Sequence, residues 1–395
     1  MRSILKEKIE QVFNILREKQ IDLWLIFVRE SDTTHDPSMD MVIGTSVTWQ
    51  TAFLFTSSGE SIAVAGSLDV ANLKSRGIFS EVIGYVQSIR EPLKEQLIRL
   101  DPEKIAVNYS SNNVLADGIT HGMYLQLVDI LKETPYLDRI ISSEEIVAAL
   151  RGRKSATELK LMKRAIAETL RMFDAVTAYI KPGRTEIDVA NFLKKQVKAS
   201  GAELAWDPEY CPSVFTGPES AGAHAGPTER RIERGHILNI DFGIRLNGYT
   251  SDLQRTWYVL RKGETKPPKE VARGFTVVQE SIQKAAAFLK PGVLGHEVDA
   301  IARSYIVENG YTEYPHALGH QIGRLAHDGG GLLAPKWERY GNLPYVPVEE
   351  GQVYTIEPRL TVEGYGVATI EEEVVVTHDG CKFLSKPQRR LYLVG

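Results

Sequence analysis

Apolar residues recur at helical spacing in the opening stretch MRSILKEKIEQVFNILREKQ, where Ile4, Leu5, Ile9, Val12, Phe13 and Leu16 are separated by charges. That spacing predicts an amphipathic helix, not the uninterrupted apolar core of a signal peptide. The period then shortens. IDLWLIF (21–27) reads as a buried strand, and WQTAFLFTSSGESIAVAG (49–66) as two strands joined by a Ser-Ser-Gly turn. SLDVANLKSRG predicts a helix capped by Ser67, and KIAVN (104–108) a further strand. Strands alternating with helices in this way predict a small α/β domain. A basic RGRK follows, then a long helical pattern with Ser155 or Thr157 as its cap, ending at Lys181-Pro182-Gly183. The change of pattern sets the expected domain boundary near residues 150 to 155, with one domain over 1–152 and another over 153–395.

The second part repeats itself. YIKPGRTEIDVANFLKKQVKASG (179–201) resembles FLKPGVLGHEVDAIARSYIVENG (288–310), and ERGHILNID (233–241) resembles EEGQVYTIE (349–357). The two segments recur in the same order, offset by 109 and 116 residues. This predicts two related α/β halves packed about a pseudo-twofold, each bringing a strand that ends in a carboxylate to the centre.

Acids lie on those strands. HILNIDFGIRLNGYTSDLQRTWYV (236–259) reads as a hairpin, because Asn247-Gly248 suits a two-residue turn with positive φ at both positions. The turn pairs Leu246 with Tyr249 and therefore Asp241 with Gln254. Asp252 is then a diagonal neighbour of Asp241 on the same face. In the second half Glu357 ends the apolar strand QVYTI. In VATIEEEVVVT, Glu371 and Glu373 share one strand face and Glu372 takes the other. Converging carboxylates repel, and a cation between them or protonation of one removes that cost. Between the acids, HALGHQIGRLAHD (316–328) holds three of the chain's nine histidines. Acid oxygens with a few imidazoles suit hard to borderline divalent ions.

Composition narrows the field. The chain has 395 residues, 43% hydrophobic and 25% charged, with a net charge of −4. This is globular rather than disordered, and no basic run suggests a nucleic-acid partner. Cys211 and Cys381 form no disulfide framework and, with no apolar run long enough for a membrane span, make a cytoplasmic protein the default.

The constellation resembles the pita-bread metallopeptidases, in the branch of aminopeptidase P and prolidase. The resemblance covers nearly the whole chain: residues 155 to 395 match the catalytic domain, and the part before them matches the extra N-terminal domain of the aminopeptidase P, prolidase and creatinase branch. It implies an α/β (α+β) protein, a small creatinase-like domain followed by a pseudo-twofold catalytic domain. It also implies two divalent metal ions, manganese first, with cobalt, zinc or iron as alternatives. Asp241 would bind one metal, His320 and Glu357 the other, and Asp252 and Glu371 would bridge. The implied reaction is hydrolysis of Xaa-Pro peptide bonds by a hydroxide shared between the metals, with Glu357 also a general base. His224, His316 and His327 match the non-ligand histidines that handle substrate and protons.

Three positions depart from the family pattern. Thr369 stands where an arginine is usual, Arg359 where glycine is usual, and Arg324 where an apolar residue is common. Either arginine is a candidate to grip a substrate carboxylate in place of the missing one. The departures leave open a same-fold hydrolase of a non-proline amide or small metabolite, and a non-catalytic binding protein is the third reading. The resemblance further implies a small peptide substrate and a homodimer. Trp49, His35 and the SDTTHDPSMD loop are candidates for a lid over the site.

Overall fold

A computed structural model describes residues 2–219 and 226–395. The chain divides into two compact units, Met1–Arg151 and Gly152–Gly395.

The first unit is built on a six-stranded mixed sheet. In spatial order its strands are Glu81–Tyr85, Ser61–Gly66, Thr51–Thr56, Leu23–Val28, Ile105–Val107 and Ile140–Ser142. The run LWLIFV is apolar throughout because both faces of the sheet are covered. Trp24, Ile26 and Val28 enter one core and Leu23, Leu25 and Phe27 the other. The helix expected to be capped by Ser67 instead spans Val70–Arg76, with Asp69 at its N-cap. Asp69 N–H turns back to Gly66 O at 2.9 Å, so residues 66–69 form a turn and the helix begins after it. The SDTTHDPSMD loop is tied down through Asp36, which is fully buried. Its carboxylate accepts from Asn108 Nδ2 at 2.8 Å and from the Ser38 N–H at 2.8 Å. His35 and Trp49 remain exposed.

The second unit carries the repeat. Its halves each contain two helices in succession, Ala156–Tyr179 with Glu186–Ser200 and Lys269–Phe288 with Gly295–Glu308. Ser155 caps the first of these in a capping box with Glu158. Between the helices of each pair lies Lys-Pro-Gly, with positive φ at Gly183 (91°) and Gly292 (89°). Gly183 N–H donates to Ile232 O and Gly292 N–H to Val348 O, each at 2.8 Å. The bridges Thr185–Arg231 and Leu294–Pro347 also correspond. Those partners keep the offsets of 109 and 116 residues, so the repeat holds in contacts as well as in sequence.

Each half contributes an antiparallel pair. Ile237–Phe242 runs against Leu253–Val259, and Val353–Ile356 against Glu372–Thr377. Leu246 faces Tyr249 across the Asn247-Gly248 turn, and Asp241 faces Gln254, the register that the turn predicts. The halves meet along Asp252–Thr256 and Thr369–Glu373, lying antiparallel. Asp252 N–H donates to Glu373 Oε1, Glu371 N–H to Gln254 O, and Thr256 is hydrogen-bonded to Thr369.

Two glycines allow close approach. A Cβ on Gly243 would lie 1.9 Å from Ser251 O, and one on Gly319 would lie 1.9 Å from Thr355 O. Gly243 sits where the hairpin ladder is interrupted between Asp241 and Asp252. Gly243→Ala is expected to destabilise the protein by about 1–3 kcal/mol, read as a lower urea midpoint with an unchanged slope.

Candidate metal centre

The acids arrive at the centre by two different geometries. Asp241 is the fifth residue of its strand and faces Gln254, with Asp252 just beyond the partner strand's start. In the other half Ile356 pairs with Glu372, so Glu357 stands level with Glu371. Asp241 and Glu357 are therefore repeat-equivalent. Asp252 and Glu371 are not: Gly235 N–H reaches Val259 O where Gly351 N–H reaches Val376 O, which aligns Gln254 with Glu371 and Asp252 with Thr369.

A third segment carries the histidine. Residues 318–322 run antiparallel to 353–357, with Glu357 N–H on Leu318 O at 2.7 Å, a bridge between Gln321 and Tyr354, and Ile322 N–H on Val353 O at 3.1 Å. This brings His320 Nε2 within 3.4 Å of Glu357 Oε1, 3.8 Å of Asp252 Oδ2 and 3.9 Å of Glu371 Oε1. His320 Nδ1 lies 3.3 Å from Gln321 O. A carbonyl can only accept, so this contact puts the proton on Nδ1 and the lone pair on Nε2, facing the acids.

The cluster is strongly under-compensated. Glu371 is 1% exposed and Asp252 6%. Among the described residues no lysine or arginine pairs with Asp241, Asp252, Glu357 or Glu371. Asp241 Oδ1, Asp252 Oδ1 and both Glu371 oxygens are buried without a hydrogen-bond partner. Burial pushes Asp241 up to about 7. Burial also holds Asp252, Glu357 and Glu371 well above the ordinary carboxylate range, and Asp241's charge adds to it in all three. His320 is pushed down to about 3 by burial and by His327, so it is neutral. Atoms of Asp252, His320 and Glu371 lie within 4.8 Å of one another. Orphaned carboxylate oxygens with a neutral imidazole form a donor set that fits a divalent cation.

The remaining expected residues fall at different distances from this nest. His327 is exposed, its ring 4.3 Å from that of His320 and edge-on to it. His316 is half-buried, with Nδ1 2.7 Å from Ala317 O. Arg359 faces Thr369 across the pair Arg359–Val362 and Gly366–Thr369, and burial lowers its pKa. Arg324 is not brought to the acids. Its guanidinium lies 5.9 Å from the ring of Tyr249 at the hairpin tip, and Tyr249 is five ladder positions from the Asp241–Gln254 pair. His224 lies outside the described residues.

Several neighbours were not singled out in the sequence. Gln254 Nε2 donates to Glu357 Oε2 at 3.1 Å, and Gln254 Oε1 accepts from Thr369 Oγ1 at 2.9 Å. Gln254 was open to discovery, because the predicted register already placed it opposite Asp241. Glu373 holds the Asp252 backbone, as its shared face with Glu371 allows. Asp299 accepts from the Leu318 N–H at 3.1 Å, while Arg303, paired with Asp299, donates to Tyr314 O and His316 O. This clamp holds the approach to His320, and nothing in the local sequence pattern announced Arg303.

The protonation pattern has a measurable consequence. Between pH 6.5 and 8 the unfolded chain has released its carboxyl protons, whereas folded Asp241 and Glu373, at about 7 and about 8, still hold part of theirs. The folded state binds more protons, so the stability of metal-free protein falls as pH rises through this window. The slope is on the order of 1.4 kcal/mol per pH unit for each retained proton. His320, neutral in the fold, partly opposes this slope near pH 6.5, where the unfolded side chain is still partly protonated, and its effect fades towards pH 8. Thermal midpoints of chelated protein are expected to be lower at pH 8 than at pH 6.5, and added manganese to flatten that dependence.

Comparison with known proteins agrees with this geometry. The chain matches the profile of metallopeptidase family M24 over residues 160–378. It is 31% identical to the Xaa-Pro dipeptidase of Pyrococcus horikoshii over 69% of this chain and 74% of that protein. The structure is similar to that of an Xaa-Pro dipeptidase from Bacillus anthracis, with a TM-score of 0.74, 26% identity, and coverage of 99% of this chain and 100% of that one. It is also similar to an X-Pro aminopeptidase from Thermotoga maritima, with a TM-score of 0.71, 25% identity, and coverage of 98% and 99%. With the acids and the histidine converging where the family match lies, the chain belongs to metallopeptidase family M24, in its pita-bread prolidase branch.

Proposed function

We propose that this enzyme hydrolyses Xaa-Pro peptide bonds with two divalent ions, manganese first among them, held by Asp241, Asp252, His320, Glu357 and Glu371. The observation that carries this reading is the set of buried carboxylate oxygens with no partner and no compensating cation. The relatives' Xaa-Pro activities supply the substrate class. When bound, such ions would lower the pKa of a water and polarise the scissile carbonyl.

The chain's own groups supply the rest. Glu357 is the candidate proton acceptor. Its carboxylate is held by Gln254 on one oxygen and faces His320 on the other, which orients it to take a proton from the attacking water. His327, exposed beside His320, is positioned to deliver a proton outward to the leaving nitrogen. In an Xaa-Pro bond that nitrogen is tertiary and must be protonated to leave. His316 and His224 are the further candidates for contacts to substrate. Thr369, which replaces an expected arginine, favours a second reading in which the amide cleaved does not contain proline.

Chelator-stripped protein is expected to be inactive and to recover on manganese addition, with Ala-Pro and Ala-Pro-Ala as matched substrates. Asp252→Ala is expected to lower kcat/KM by more than the ~100-fold typical of losing a ligand's hydrogen-bond partner. Manganese-dependent cleavage of Ala-Leu with neither proline substrate cut would establish the second reading. Activity that survives full metal removal would refute both.

A further inference from the structure

What holds His327 in place lies outside the acid nest. His327 is exposed, edge-on to His320, and belongs to neither a strand nor a helix. Its position therefore depends on the turn formed by residues 323–328. Backbone hydrogen bonds shape part of that turn. Asp328 N–H donates to Gln321 O at 2.8 Å, Gly323 N–H to Leu325 O at 3.1 Å, and Thr250 N–H to Gly323 O at 2.8 Å. The remaining tie is a side chain. Asp328 Oδ2 accepts from the Arg324 N–H at 2.6 Å, which closes the turn across the residues that include His327.

Asp328 is buried, and a buried carboxylate without a cation is costly. Lys154, also buried, brings the opposite charge to it. Both side chains close on Gly323: a Cβ there would lie 2.4 Å from Asp328 Oδ2 and 2.8 Å from Lys154 Nζ. The two charges thus share the space that a glycine leaves open, largely out of water, where their attraction is weakly screened. Lys154 is itself fixed at its base. Its N–H donates to Gly351 O at 2.9 Å, Arg153 before it is held by both oxygens of Glu349, and Ser155 after it caps the long helix. An ammonium delivered from so rigid a base restrains the carboxylate that it meets.

We infer that Lys154 and Asp328 are a positioning pair for His327: their attraction fixes the turn at 323–328, and with it the direction from which the imidazole gives its proton to the leaving nitrogen. The destination of that proton rests on the hydrolytic reading above. The placement of the imidazole rests on the turn alone.

The test reads position and rate separately, with melting midpoints to show that each variant is folded. In zinc-loaded protein carrying carbon-13-labelled histidine, the Cε1–H resonance of His327 is assigned by its loss in His327→Ala. Asp328→Asn and Lys154→Met are expected to shift that resonance, and Lys154→Arg to leave it closer to wild type. On manganese-loaded protein with Ala-Pro, Asp328→Asn and Lys154→Met should lower kcat by about 10–100-fold, part of what a positioned general acid contributes, with KM and manganese stoichiometry unchanged. Because the pair acts through the imidazole, adding Asp328→Asn to His327→Ala should change kcat by less than about twofold. A His327 resonance unmoved by Asp328→Asn overturns the inference, as does a kcat loss of the same size with and without His327. If Lys154→Met does not fold, Asp328→Asn, which keeps the side chain's shape, decides both readings. If wild type cuts neither Ala-Pro nor Ala-Pro-Ala, the Xaa-Pro reading fails, and the resonance alone decides whether the pair positions His327: a shift in the variants supports it, and none overturns it.

Discussion

The mutual repulsion of acids gathered around His320 is the constraint on which the second unit depends. Asp241, Asp252, Glu357 and Glu371 come from separate strands in both halves, and Glu373 and Glu372 lie beside them. Most of these groups are sealed from water. Each would be costly to bury as an anion alone, and together more so. The protein uses two remedies. Glu372, on the opposite strand face, is neutralised by Arg255, also fully buried, and by hydrogen bonds from Ser385 and Gln388. The acids on the inner face receive no such cation. They carry protons until a divalent ion replaces them, so the fold stores an electrostatic deficit that a metal is suited to remove.

The pseudo-twofold explains how so many acids reach one place. Repeat-related turns hold the helix pairs in both halves, and repeat-related strands bring Asp241 and Glu357 to the axis. The symmetry then breaks where chemistry requires it. Gln254 is the repeat counterpart of Glu371, and Thr369 that of Asp252. These two neutral residues hydrogen-bond to one another, and Gln254 also donates to Glu357. An acid at every equivalent position would add two more charges to a cluster that already has too many. Neutral partners limit the charge and orient a ligand candidate at the same time. Arg359 is the cross-strand partner of Thr369.

Much of this could be read from the sequence. The Asn247-Gly248 turn predicted the register that sets Asp241 opposite Gln254, because a two-residue turn leaves no freedom in pairing. The repeat predicted equivalent strands, and strand alternation separated Glu372 from Glu371 and Glu373. Ser67 is not the helix cap because the chain first turns through residues 66–69, where Ser67 N–H is held by the neighbouring strand, a tertiary contact that local pattern does not contain. The Asp299–Arg303 clamp was hidden for the same reason, since its acceptors lie on the loop that carries His316. The triplet at 371–373 shows the limit in another way. As text it resembles a wet strand face, yet all three residues are at most 1% exposed. The structure describes nothing of His224, and its role rests on the family pattern.

The most direct test of the account is a calorimetric titration of manganese into chelator-stripped protein at pH 7, repeated in two buffers of different ionisation enthalpy. The acid nest predicts two ions bound per chain and a net release of protons, because carboxyls that hold protons in the metal-free fold must give them up. Stoichiometric binding without proton release would contradict the protonated nest. Absence of binding by folded protein would contradict the metal centre itself.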